Sequence, residues 1–296
     1  MNSAAVPPHS DGFVACMGGR WDVALARFCC MSCMAIVLAT APARTQSGMP
    51  TACRFEAAGT AKVRAITDGR SFILEDGREV RLAGIEVPLP PAAGESGPQA
   101  EAGLAARAAL ESMLADRMVD LYQNGAVGDR YGRNLALVSV AGDSARRSVA
   151  HEMLARGFAR VSARVGDRRC AEELLAQERA ARGAKLGLWN GPYYAVLPAD
   201  NGAELAAERG RFTLAEGKVW SVRESGGTIY INFGRHWAQA LTVTISKRDE
   251  RAFAAAGIEP KKLEARRVRV RGWIEDRNGP RIEAASPEQI ELAERN

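Results

Sequence analysis

The chain has 296 residues, 47% hydrophobic and 25% charged, a globular composition that excludes disordered, collagen-like and coiled-coil classes. That length leaves room for roughly two domains. No run reaches the roughly 18 apolar residues of a membrane span, so a polytopic membrane protein is excluded. Net charge is +5, compatible with an anionic partner without requiring one.

Residues 1–43 read as a secretory signal with an upstream extension. Arg20 and Arg27 precede the apolar run Phe28 to Ala39, and Ala41-Pro42-Ala43 supplies a small-x-small cleavage site. Met17 reads as a start. The expectation is export to a periplasm or the exterior, with no membrane span in the mature chain. Removing this stretch leaves Cys53 and Cys170, expected as a disulfide in an oxidising compartment. No Cys-x-x-Cys remains, and His151 and His236 are the mature histidines, so a zinc site is not expected.

The first domain is expected over 44–190. A strand is read from Gly59 to Thr67. Ser71 to Glu75 and Val80 to Ile85 flank Asp76-Gly77, a strong hairpin signal. Gly97-Pro98 introduces a helix over Ala100 to Leu114. Strands Met118 to Tyr122 and Asn134 to Val140 follow, separated by the loop Gly128 to Arg133, then helices Ser148 to Gly157 and Arg168 to Ala184. Three strands, a helix and two strands suit an α+β fold built on a five-stranded Greek-key barrel of the oligonucleotide/oligosaccharide-binding kind (OB barrel).

Gly191-Pro192, Pro198 and Asn201-Gly202 mark a linker over 191–209. Residues 210–296, with 16 basic and 12 acidic side chains, repeat the order. Strands are expected at Phe212 to Val222, Thr228 to Phe233 and Ala240 to Ile245, a helix at Lys247 to Ala256, and strands at Arg267 to Ile274 and Arg281 to Ala284. A second small OB-like barrel is the reading. Arg267, Arg269, Arg271 and Trp273 alternate onto one strand face. Such a face fits either a single-strand groove or a solvated surface whose arginine stems cover a neighbour. Tyr230 and Trp237 are candidates for further stacking or for core.

Four segments resemble the staphylococcal-nuclease (thermonuclease) family: Ile66 to Ser71, Val80 to Pro88, Asp129 to Ala136 and Lys185 to Trp189. The resemblance implies a five-stranded barrel and cleavage of phosphodiester bonds in DNA and RNA with calcium. By that pattern Arg81 and Arg133 are the phosphate-holding catalytic arginines. Glu86 stands at one metal carboxylate, Arg70 replaces the other within Asp68-Gly69-Arg70-Ser71, and Leu89 replaces the general base. Leucine accepts no proton, and a guanidinium repels calcium. A general base is worth about 10²- to 10⁴-fold in rate.

The expectation is therefore binding of single-stranded DNA, RNA or another phosphodiester polymer, with weak or no hydrolysis and no cofactor. Arg70, Arg81 and Arg133 would form an anion pocket with Asp68 and Tyr131 beside it. One alternative is an active endonuclease that uses calcium and a displaced carboxylate such as Glu95 or Glu101. Another is a structural envelope protein that keeps only the fold. Simpler readings stand beside these roles: Arg133 as an ion-pair partner of Asp129 or Glu86, Asp68 as a turn residue, Tyr131 as a packed aromatic, Trp189 as a core plug, and His151 as a helix-surface or capping residue.

Overall fold

The computed structural model describes residues 53, 55–123, 132–143, 147–165 and 167–293. The expected signal 1–43, and Asp129 and Tyr131 of the Tyr-Gly-Arg loop, lie outside them. Strand β1 (Glu56–Ile66) is long enough, at 11 residues, to pair at one end with β2 (Ser71–Leu74) and at the other with β5 (Met118–Gln123). Irregularities at Ala57/Gly59 and Val63/Ala65 bend it between the two partners. The Asp76-Gly77 turn joins β2 to β3 (Glu79–Leu82): the Asp76 Oδ1 accepts the Arg78 amide at 3.0 Å, and Gly77 takes φ +86°. Strand β6 (Asn134–Val140) runs parallel to β3 and antiparallel to β5. The barrel thus closes in the order β1-β2-β3-β6-β5.

Two-residue strands β4 (Ile85–Glu86) and β7 (Arg160–Val161) pair antiparallel outside the barrel. Helix α1 (Pro98–Leu114) starts with proline in its first turn, where a missing N–H costs nothing. Helix α2 (Val149–Ala155) is capped by Ser148, and α3 (Arg168–Gly183) by Asp167, whose side chain accepts the Cys170 amide at 2.9 Å. Phe72, Leu74, Val80 and Leu82 from the barrel meet Leu110, Leu114, Met153 and Leu174 from the helices in one core. Cys53 and Cys170 form the expected disulfide across 117 residues, tying the chain ahead of β1 to the first turn of α3.

The segment 191–209 carries structure of its own: strand β8 (Leu197–Pro198), helix α4 (Gly202–Ala207) and a buried Tyr194. Proline and glycine punctuate it, but its apolar side chains dock, Tyr194 beside Trp189, Ala181 and Leu214. Trp189 is 8% exposed, in keeping with a core plug.

Beyond it run β9 (Phe212–Lys218), β10 (Ser221–Ser225), β11 (Thr228–Asn232), β12 (Thr242–Ser246), helix α5 (Glu250–Ala255), β13 (Arg267–Trp273), β14 (Glu275–Asp276), β15 (Pro280–Glu283) and β16 (Ile290–Leu292). They form a five-stranded sheet, β10-β11-β12-β15-β14, and a four-stranded sheet, β16-β13-β9-β8. Their facing side chains, among them Ile231, Val243, Phe253, Val268 and Ile282, build a second core. Residues 46–296 cluster as one compact unit.

A buried polar network also crosses between the two parts. Arg271 on β13 has no exposed surface and donates to both oxygens of Glu178 on α3, at 2.6 and 3.0 Å, to the Val161 carbonyl at 3.3 Å, and to Glu291. Glu178, equally buried, also accepts the Val161 amide at 2.6 Å and Arg182 at 2.8 Å. Burial by itself lowers the guanidinium pKa, and the two glutamates more than reverse that.

Candidate active site and its replacement contacts

The β3 side chains alternate: Val80 and Leu82 fill the barrel, while Glu79 and Arg81 face out. Register sets Arg81 beside Ser71 of β2 and Leu135 of β6, and Arg133 immediately precedes β6. After β3 the chain turns at Gly84, whose φ is +79° and whose added Cβ would lie 2.7 Å from Leu174. This tight turn against α3 delivers Glu86 on β4, held by its pairing with Arg160 of β7.

Arg70 is 5% exposed. Its guanidinium forms a direct ion pair with Glu86 and donates to the Ile85 carbonyl at 3.1 Å. Asp68 serves as a turn residue. Its Oδ1 accepts the Arg70 backbone amide at 2.7 Å, an Asx turn that shapes the loop. Burial pushes the Glu86 carboxyl above its ordinary value against the opposing pull of Arg70. Leu89, where the resemblance would place the base, is 54% exposed. Glu95 is engaged in its own turn, accepting the Ala92 amide at 2.8 Å.

Arg70, Arg81 and Glu86 share the lining of a cleft of about 460 Å³; Arg133 is not in that lining. The opposite wall comes from the C-terminal part: Trp273, Glu275 and Glu283. The sequence pointed to Trp273 as a stacking candidate but not to its place across from Arg81 or to Glu275 and Glu283, because β13 and β3 are far apart in the chain and no motif joins them.

The expected basic row on β13 needs correction. Arg271 is the buried cross-link described above, and Arg267 and Arg269 both pair with Glu216 of β9, at 2.8 and 2.5 Å. Those two arginines hold the Glu216 carboxyl below its ordinary value although burial opposes them. The row is therefore no open cationic groove: carboxylates of β9 and α3 already face it. Trp273 is 42% exposed, and Arg267 stays exposed while paired. Trp237 is 55% exposed and Tyr230 part-buried, neither in this cleft. His151 is also corrected, from helix surface to interior: it is 8% exposed, between α2 and Glu173 of α3 at 3.8 Å.

Residues 79–191 match the family described as "Staphylococcal nuclease homologue". Over these residues the chain is similar to a staphylococcal nuclease domain. A probable endonuclease of Verticillium alfalfae is 33% identical over 136 residues, 45% of this chain. The chain spans 46% of that relative's length. The nuclease-like match contains Arg81, Glu86, Leu89 and Arg133; Asp68 and Arg70 precede it, and Trp273 lies well beyond it.

The calcium that the nuclease family implies does not fit the donors found here. One carboxylate of the pair is a guanidinium, and that guanidinium occupies the remaining one. Among the described residues no group of three or more His, Cys, Asp or Glu gathers into a metal-binding cluster.

Proposed function

We propose that this chain is an exported nuclease-like protein that binds single-stranded nucleic acid, or another phosphodiester ligand, and does not hydrolyse it. The observation that carries the reading is the buried Arg70–Glu86 pair beside Arg81 in one cleft. The pair removes the carboxylate a metal needs while leaving a guanidinium of the nuclease pattern at the cleft wall. Arg81, with Arg133 nearby along the β3–β6 register, suits a phosphodiester because the planar fork binds phosphate bidentately at any ordinary pH. Leu89 can take no proton from water, so the bound ester stays intact.

We also infer that the two C-terminal sheets are one OB-like barrel. β10 follows β9 across Val219–Trp220, and β14 follows β13 across Ile274, so pairing runs β9/β10-β11-β12-β15-β13/β14 and back to β9. That is the ring order of the first barrel, including one parallel pair.

The test is incubation of purified 44–296 with labelled single-stranded DNA, in calcium and in chelator, reading gel mobility and strand length. Retarded, full-length strands in both conditions, with affinity falling steeply as salt rises, are expected. Calcium-dependent shortening would establish the endonuclease alternative, which the named relative favours. Neither retardation nor shortening would leave a structural role.

A further inference from the structure

We infer that Trp273 is a base-stacking residue, and that the cleft is a composite site for an unpaired nucleotide built by both parts of the chain. The inference rests on the phosphodiester reading above and adds which form of ligand the site selects.

Trp273 lines two adjoining cavities. One is the cleft with Arg70, Arg81 and Glu86; the other is a small hollow of about 60 Å³ that contains Leu89 and Arg160. The indole thus stands between the phosphate-holding arginine and the position from which the base has been lost. It is outside the family match, so nothing about the nuclease-like domain alone places it there.

Its position is fixed from three directions. Trp273 is the cross-strand partner of Phe212, the two rings meeting edge-on at 5.9 Å. Phe212 is itself held by Arg160, which donates to its carbonyl and lies 5.4 Å over its ring. Arg160 is the register partner of Glu86. Two residues before Trp273, Arg271 fastens β13 to α3. A large aromatic that is 42% exposed yet anchored this firmly loses little conformational freedom on binding.

The cleft chemistry points to phosphate and base held together. Arg81 supplies a fork for phosphate. Trp273 supplies a π-face, worth roughly 5- to 150-fold in affinity per stacked base. On the same wall Glu283 can accept hydrogen bonds from base amino groups, Glu275 is already paired with Arg277 and Arg281, and Arg164 joins Arg81 in the lining. A volume of about 460 Å³ falls in the range of small-ligand sites. In a duplex each base face is already stacked on its neighbour, so the duplex gains nothing from the indole.

The experiment compares a fluorescent deoxythymidine decamer with an abasic decamer carrying the same phosphates, on the full chain and three variants. The wild type is expected to prefer the base-bearing strand by at least about 5-fold. Trp273→Ala should abolish the preference, and Trp273→Phe should keep most of it. Arg81→Ala should weaken both probes by the same factor. An unchanged ratio in Trp273→Ala, or no preference in the wild type, overturns the stacking role while leaving phosphodiester binding intact. Absence of binding to either probe overturns the phosphodiester reading, and this inference with it.

Discussion

Replacing Arg271 with methionine tests whether the two parts are held together by the buried ion network. The variant keeps an apolar stem of similar reach and removes the guanidinium. Two carboxylates are then left: Glu178, fully buried, and Glu291, 9% exposed. Breaking a buried pair from one side costs about 3–5 kcal/mol. Glu178 still has Arg182 at 2.8 Å and the Val161 amide at 2.6 Å, whereas Glu291 keeps only arginines at 3.6 and 3.7 Å. The loss should therefore lie near the lower bound, about 3 kcal/mol. With a urea m-value of about 3 kcal/mol/M for a chain this size, the unfolding midpoint should fall by about 1 M. Circular dichroism of the full chain in urea measures it. Lys62→Ala, which breaks the exposed Lys62–Glu75 pair, is the control and should move the midpoint by no more than about 0.3 M. An Arg271→Met midpoint as small as the control's would show that burial of this network carries no linkage between the parts.

Three further outcomes are expected. Arg70→Asp together with Leu89→Glu returns a carboxylate beside Glu86 and a base beyond it, so calcium-dependent shortening of labelled single strands should exceed the parent's by at least about 100-fold. Cys53→Ser with Cys170→Ser opens a closure spanning 117 residues and should cost about 2–5 kcal/mol, read as a lower thermal midpoint that matches the reduced wild type. Burial holds the His151 pKa below its ordinary 6.5, so on acidification the unfolded state takes up this proton first. Stability should fall as pH drops through 6.5, and His151→Gln should flatten the pH 7-to-5 slope in thermal melts. A slope identical to wild type would remove His151 from the acid response. Glu173, pushed upward by burial, acts in the opposite sense and is common to both proteins.

Local chemistry carried the sequence reading where the signals are local. Asp76-Gly77 makes its hairpin because the carboxylate accepts an amide two residues on and glycine takes the positive φ. Asn134 to Val140 is apolar-rich and is a strand of those bounds; Ser148 and Asp167 cap the helices they precede. The strands of two or three residues, β4, β7, β8, β14 and β16, are too short for any period to show. The arginine row of β13 was visible, but its partners were not. Glu178 lies 93 residues from Arg271 and Glu216 lies 53 from Arg269, and a solvent-facing arginine has the same alternation as one facing a buried carboxylate. Within the site, Arg70 at the position the resemblance gives to a metal carboxylate was legible, whereas its ion pair with Glu86, 16 residues on, was not.

The Arg70–Glu86 pair makes the cleft independent of its surroundings in one respect. A bound divalent ion exchanges with the medium, so a calcium site empties when the ion is scarce or sequestered. A guanidinium belongs to the polypeptide and is present at unit stoichiometry from the moment of folding. On the proposed reading, whatever occupies this cleft answers to ionic strength, through screening, and not to the supply of any particular cation.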